Sequence, residues 1–84
     1  MIYFVYMITT KINDKIISYV GYTSDLNKRL TLHNSSKGAK FTRGKNWNLI
    51  YYKKFSSKRL AMKYEYELKK NKNLRKKIKI NHAI

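Results

Sequence analysis

Cysteine is absent from this sequence, and histidine occurs only twice. Without cysteine the chain can form neither a disulfide framework nor a cysteine-based zinc site, and two distant histidines do not form a zinc motif. The lack of disulfides is typical of a reducing compartment. We therefore predict an intracellular protein that is not secreted.

Acidic residues are also scarce. Four aspartates and glutamates stand against twenty lysines and arginines, which gives a net charge of +16. This excess goes beyond what solubility requires and predicts a polyanionic partner, nucleic acid first of all. A membrane surface is the alternative partner, but the predicted helices lack a long apolar face opposite their basic residues.

Long hydrophobic runs are missing as well. The apolar opening, Met1–Ile8, is too short for a membrane span or for a signal core with its cleavage site, so we predict a buried strand there. The sequence shows no proline-rich linker and no internal repeat, and 84 residues can bury only a modest core. A single domain over residues 1–84 is the prediction.

The polar and apolar patterns divide the chain into six elements. They are strands at 2–9 and 16–20, a helix at 25–34 capped by Ser24, a strand at 47–55, a helix at 58–70 capped by Ser56 or Ser57, and a basic helix at about 72–80. The order β-β-α-β-α-α predicts an α+β fold.

Two of these helices carry apolar residues that we expect to face the core. In the helix at 58–70 the apolar stripe consists of Leu60, Ala61, Tyr64 and Leu68. In the basic helix the inward residues are Leu74, Ile78 and Ile80. Both helices are expected to pack on the predicted strands.

Arg29 and His33 are spaced i,i+4 on the first predicted helix, directly beyond the turn that follows Tyr19 and Gly21. This spacing places a strand end and a helix face around one site. A guanidinium matches phosphate geometry, so Arg29 is a candidate phosphate ligand. His33 is either part of that network or a structural residue.

Glu65 is one of the four acids and lies at the border of the apolar stripe. A half-buried carboxylate must be paired or bound to a cation, because an isolated buried charge is costly. One interpretation is an ion pair with a neighbouring lysine or arginine. The other is a ligand of Mg²⁺ or Mn²⁺, since such ions often take one or two protein carboxylates with water and phosphate oxygens.

Tyr6 and Tyr19 fall on the paired strands where both phenols could lie beside the first helix. Cross-strand packing is the simpler role for each of them. A metal ion and an arginine nearby would lower the pKa of a phenol, which ordinarily lies near 10, and let it take a proton from water.

Together these residues resemble a known family. The resemblance rests on Phe4-Val5-Tyr6, Tyr19-Val20-Gly21, Asp25–Leu30 with His33, the loop Lys37–Gly44, and Ala61–Glu65. Over roughly residues 3–70 the chain resembles the GIY-YIG nuclease superfamily and is most similar to its small stand-alone members. That resemblance implies a three-stranded antiparallel sheet flanked by helices, and metal-dependent hydrolysis of a DNA phosphodiester, as in excision repair proteins and homing endonucleases.

The resemblance also implies roles for individual residues. Its catalytic positions fall on Tyr6, Tyr19, Arg29, His33 and Glu65. Arg29 would steady the scissile phosphate and Glu65 would be the sole carboxylate on one Mg²⁺ or Mn²⁺ ion. Gly21 would let the substrate backbone approach closely. Which of the two tyrosines deprotonates water is left open.

Two departures from the family pattern stand out. Phe4 replaces the glycine of the first triplet, which the stand-alone members tolerate. The stretch between the triplets is longer, and we expect a turn at Asn13–Asp14 to absorb it. We assign no residue of this chain to the late asparagine that some branches use.

Basic residues outside the motifs are candidate DNA contacts. They are Lys37, Lys40, Arg43 and Lys45 in the loop, and Lys69, Lys70, Lys72, Arg75, Lys76, Lys77 and Lys79 toward the C-terminus. Such contacts give binding that is salt-sensitive and indifferent to sequence. A merely solvated charge run is the alternative for the C-terminal group.

Three functions are compatible with the sequence. The first is a structure-directed DNA endonuclease acting on branched, flapped or single-stranded regions. The second is a non-catalytic nucleic-acid-binding module, and the third a basic structural protein of the ribosomal or nucleoid kind. A protein partner and a homodimer are both left open.

Overall fold

Three antiparallel strands form the sheet in the computed structural model, which describes residues 1–35, 42 and 44–83. The strands are β1 (Tyr3–Ile12), β2 (Lys15–Thr23) and β3 (Asn48–Phe55). β1 lies in the centre, in the order β2-β1-β3, so β2 is an edge strand. The predicted sheet and the order β-β-α-β-α-α are confirmed.

A two-residue turn joins β1 to β2. Asn13 and Asp14 both have positive φ, 49° and 66°, and Ile12 pairs with Lys15 across the turn. Asparagine and aspartate tolerate this left-handed backbone better than other non-glycine residues. The turn therefore lies where it was predicted, but β1 runs three residues beyond the predicted end at Thr9, because its β-branched residues continue the pairing.

Three helices follow the hairpin in sequence. They are α1 (Leu26–Asn34), α2 (Lys58–Lys70) and α3 (Lys72–Ala83). Asp25, not Ser24, caps α1, since its carboxylate accepts a hydrogen bond of 3.1 Å from the Lys28 amide. Ser57 caps α2 as predicted. Within the described residues, no helix is long and apolar enough to cross a membrane.

Both faces of the sheet are covered, and alternation along β1 divides them. Val5 and Met7 point to one face, where they pack with Ala61 and Leu68 of α2. Tyr6 and Ile8 point to the opposite face, where the residues packed with them come from β2, α1, β3 and the segment just before β3: Ile17, Tyr19, Leu26, Leu30, Leu49 and Trp47. The candidate catalytic tyrosines thus share the α1 face.

Two of the inward-facing predictions are wrong. Leu60 is 48% exposed and Ile80 is 50% exposed. The buried stripe of α2 follows positions 61, 64 and 68, so Leu60, one residue earlier, is turned about 100° away from Ala61. Leu74 and Ile78 do pack against the core, as predicted.

Candidate active site

Tyr6 lies over Gly21, its partner across the β1–β2 ladder. A Cβ atom on Gly21 would stand 2.5 Å from Tyr6 Oη and 2.7 Å from Tyr6 Cζ, and 3.2 Å from a ring carbon of Tyr19. Such distances are too short for any side chain. Glycine is therefore required at this position to make room for a phenol of the protein itself, a reason different from the expected approach of a substrate.

His33 joins the Tyr6 phenol to a second hydroxyl. Tyr6 Oη shares a hydrogen bond of 2.7 Å with His33 Nε2, and His33 Nδ1 shares one of 2.8 Å with Thr42 Oγ1. All three side chains are buried. A neutral imidazole can donate to one hydroxyl and accept from the other, so both bonds can form without charge.

Thr42 is the residue of this chain that sequence reasoning missed. Its carbonyl accepts a hydrogen bond of 2.9 Å from Trp47 Nε1. Trp47 is held in turn by Asn34, whose side chain accepts from the Trp47 amide at 2.6 Å and donates to the Trp47 carbonyl at 3.2 Å. The end of α1 thereby fixes Thr42. No spacing in the sequence relates Thr42 to His33; its only signal was its place in the loop that resembles the family.

Arg29 stands one turn before His33 on α1, on the same face, as the i,i+4 spacing predicted. The Tyr6 phenol, by hydrogen bonding, is the main cause that raises the pKa of Arg29, and Tyr19 contributes in the same direction. Arg29 Nε is buried and has no hydrogen-bond partner within the described residues. The guanidinium therefore lies beside both phenols with one donor unused.

Burial and the Arg29 charge set the protonation of this cluster. Burial raises the pKa of Tyr6 to about 12, although Arg29 acts in the opposite direction. Burial, and then the positive charge of Arg29, lower the pKa of His33 below its usual 6.5. At neutral pH the Tyr6 hydroxyl is therefore protonated and the His33 ring is uncharged.

Tyr19 occupies the more open side of the same cluster. Its ring lies 5.3 Å from the His33 ring, at an interplanar angle of 61°. Tyr19 is half-buried, and it lines an open pocket of about 280 Å³ together with residues of α2 and α3. Of the two tyrosines, Tyr19 is the more exposed, since Tyr6 is buried.

Glu65 approaches the cluster from α2. Its negative charge contributes to the raised pKa of Tyr6. The side chain is 19% exposed, and its carboxylate lies 3.8 Å from the Lys69 ammonium, so the ion pair that was one of the two interpretations of this residue is present. Elsewhere in the part of the chain that the structure describes, no hydrogen bond reaches this carboxylate, and no three His, Asp or Glu residues group together.

The structure thus brings the five predicted catalytic side chains into one region. Tyr6, Tyr19, Arg29 and His33 cluster on the α1 face, and Glu65 acts electrostatically on Tyr6 from α2. Their catalytic roles stay predictions.

The structure describes only some of the residues that were expected to contact DNA. Lys45 is half-buried in a groove of about 430 Å³ with Thr10–Ile12, near the hairpin end of β1. Lys37, Lys40 and Arg43 lie outside the described residues. On α3, Lys72, Lys76 and Lys77 are exposed, which gives that helix a basic surface.

Comparison with known proteins gives a consistent result. The family model described as the GIY-YIG catalytic domain matches residues 2–79. UPF0213 proteins of Streptococcus pyogenes serotypes M5 and M3 are each 46% identical to this chain over 74 residues, which is 87% of this chain and 79% of the relative.

A solved structure agrees with this assignment. The solution NMR structure of a UPF0213 protein from Bacillus halodurans is 36% identical and has a TM-score of 0.51. The match covers 96% of this chain and 84% of that chain. The resemblance seen in the sequence motifs is confirmed: the chain belongs to the GIY-YIG nuclease superfamily, in the small stand-alone family of the UPF0213 proteins.

Proposed function

We propose that the protein is a divalent-metal-dependent DNA endonuclease that hydrolyses phosphodiester bonds and selects DNA by structure rather than by sequence. The observation that carries this proposal is the buried Nε donor of Arg29. It has no hydrogen-bond partner within the described residues, and its guanidinium lies beside the Tyr6 and Tyr19 phenols. The family membership supports the general activity, nuclease chemistry.

Arg29 is the phosphate ligand of this proposal. A buried donor without a partner costs about 1–3 kcal/mol, which a bound acceptor would recover. A phosphate oxygen suits this donor, because a guanidinium offers several donors in a fixed plane and carries a full positive charge. A phosphodiester seated on Arg29 would lie beside Tyr6 and Tyr19.

The two tyrosines have different tasks. Tyr6 is buried, shares its hydroxyl with His33 and has a pKa raised to about 12, so it is a poor base at neutral pH. We assign it the task of holding the attacking water or the phosphate as a hydrogen-bonding group. Tyr19 lines the open pocket, where its hydroxyl can contact water, so we assign it the role of general base.

Glu65 fits a single-ion site for Mg²⁺ or Mn²⁺. Its carboxylate accepts no hydrogen bond from the described residues, and its ion pair with Lys69 is long at 3.8 Å, so its oxygens can serve a cation. Hard divalent ions accept one protein carboxylate when water and phosphate oxygens complete the shell. When bound, the ion would act as a Lewis acid on the phosphate oxygens.

The substrate proposal rests on charge. A net charge of +16 and the basic surface of α3 favour binding through DNA phosphates, which carries little sequence information. The small chain offers no described element that is dedicated to reading bases. Selection by DNA structure, at flaps, forks or junctions, is therefore the form of specificity that we propose.

Nicking assays with a matched pair of variants test the proposal. Flap, fork, junction, duplex and single-stranded DNA are incubated with Mg²⁺, Mn²⁺ or EDTA. Glu65→Gln should reduce cleavage by about 100-fold or more, the usual scale for losing a group that stabilises the transition state. Glu67→Gln, an exposed residue of the same helix, should cleave normally. Equal activity of the two variants would refute the role of Glu65.

A non-catalytic nucleic-acid-binding module is the second candidate. The observation in its favour is the Glu65–Lys69 ion pair, which compensates the carboxylate without any metal. Binding to the same DNA and RNA panel without cleavage in either metal would support this module and overturn the endonuclease.

A further inference from the structure

A basic pocket opens beside Tyr19, and none of its described lining residues belongs to α1. It has a volume of about 280 Å³, and its lining comes from the edge strand β2 and from the junction of α2 with α3: Ser18, Tyr19, Val20, Lys69 and Arg75. Among the five described residues that line it, two are cationic and none is acidic. The pocket therefore favours an anion, and it adjoins the phenol that we assign as general base.

Arg75 is fixed at one wall of this pocket. Its Nη1 donates to the carbonyl of Leu68, at 3.1 Å, and to the carbonyl of Lys69. These contacts tie the guanidinium to the last turn of α2, where the Leu68 carbonyl also accepts from the Asn71 amide. A cation held in this way loses little conformational entropy on binding an anion.

Lys69 stands between the pocket and Glu65. Its ammonium lies 3.8 Å from the Glu65 carboxylate and 5.8 Å from the centre of the Tyr19 ring. The side chain is 47% exposed, so it can move without unfolding the helix. A cation bound at Glu65 would repel this ammonium and leave it free to contact an anion in the pocket.

We propose that the Lys69–Arg75 pocket binds a second backbone phosphate of the DNA strand, beside the phosphate at Arg29. Lys69 exchanges between Glu65 in the metal-free protein and this second phosphate in the complex. The inference rests on the proposed function, because it takes the substrate to be DNA and Glu65 to be the metal ligand. It adds a phosphate subsite and makes Lys69 a positioning residue.

The exchange of Lys69 between Glu65 and the second phosphate predicts two effects of opposite sign when its charge is removed, one on DNA binding and one on Mn²⁺ binding. Lys69→Met keeps the apolar stem and removes the charge. It should weaken DNA binding, because a phosphate contact is lost. It should also tighten Mn²⁺ binding by roughly fivefold, because the positive charge that lies 3.8 Å from the Glu65 carboxylate no longer opposes the ion. A merely structural lysine would weaken both.

DNA binding is measured in the Glu65→Gln background, which prevents cleavage and releases Lys69 from its ion pair. Fluorescence anisotropy with a flap oligonucleotide is recorded over a salt series in EDTA. Adding Lys69→Met should reduce affinity by about fivefold to tenfold and lower the salt slope by about 1. Lys69→Arg should restore both. Lys63→Met, an exposed lysine of α2 outside the pocket, is the matched control.

Equal DNA affinity and salt slope for the Lys69→Met and Lys63→Met variants would overturn the phosphate subsite. Mn²⁺ is then titrated by calorimetry into the chain with Glu65 intact and no DNA present. Unchanged or weaker Mn²⁺ affinity in Lys69→Met would overturn the exchange. Neither measurement uses cleavage, so a protein that fails to nick DNA would refute the proposed function while these tests still decide the pocket.

Discussion

Replacing Gly21 by alanine tests the packing of the site directly. The new methyl group would stand 2.5 Å from Tyr6 Oη and 2.7 Å from Tyr6 Cζ, so the phenol must move. Gly21 has no positive φ, so alanine is compatible with its backbone. The effect of this substitution is therefore steric. Because Tyr6 is buried, its ring has little room to retreat.

The cost can be estimated from three contributions. Overpacking a buried site costs about 1–3 kcal/mol. Separating Tyr6 from His33 leaves buried polar groups without partners, at about 1–3 kcal/mol. Alanine recovers about 0.5–1 kcal/mol relative to glycine within a strand. The free energy of unfolding should therefore fall by about 1–5 kcal/mol, and in a domain of this size Tm should fall by at least about 4 °C.

Thermal unfolding followed by circular dichroism measures this loss. NMR of the His33 ring nitrogens reports whether the bond to Tyr6 survives, and nicking assays report the site. Gly44→Ala is the control, because Gly44 has φ +74° and no atom of the described residues lies within 4 Å of the position that a Cβ atom would take. We therefore expect a cost of about 1–2 kcal/mol that comes from the backbone. The NMR signals of the His33 ring should stay unchanged in the Gly44→Ala variant.

The melting temperature of Gly21→Ala and the NMR signals of its His33 ring together decide whether the steric argument holds. If Gly21→Ala melts within about 2 °C of the unmodified protein and keeps its His33 signals, the Tyr6 phenol does not occupy the space above Gly21. A steric requirement for glycine at this position would then be refuted.

Two further predictions concern groups on opposite faces of the sheet. Burial lowers the folded pKa of His33 below its usual 6.5, so the stabilising contribution of the neutral ring is complete above that pH. As the pH falls below about 6.5, Tm should drop, and it should drop less steeply in His33→Asn. The Tyr51 and Tyr64 hydroxyls share a hydrogen bond of 2.7 Å beside the α2 core. Tyr51→Phe should therefore cost about 0.5–1.5 kcal/mol in a denaturant titration and leave nicking unchanged, whereas lost nicking would link that face to the site.

Local patterns predicted much of the fold. The helix at 58–70 was predicted with its observed bounds, because its apolar spacing, its serine cap and the lack of proline act within a few residues of one another. The Asn13–Asp14 turn likewise follows from the backbone preference of two residues. Ser24 was predicted to cap the first helix, whereas Asp25 caps it, because the position of the cap depends on how the chain leaves β2.

The contacts of the candidate site likewise divide into those that local spacing predicts and those that depend on the fold. Arg29 and His33 were placed together because i,i+4 spacing on a helix fixes their separation, and the Glu65–Lys69 pair obeys the same rule. Thr42 meets His33 across a loop, and no local rule relates their positions. Arg75 was predicted only as one of a run of basic residues, and its anchoring to α2 became visible in the fold.

The sequence by itself determined the element order, the family and the excess of positive charge, because periodicity, motif and composition are properties of neighbouring residues. Only the tertiary structure decided that Tyr6 lies above Gly21, that His33 links two buried hydroxyls and that Lys69 lies between Glu65 and a basic pocket. These arrangements depend on strand register and on how helices pack on the sheet. Both are set by contacts between residues far apart in the chain.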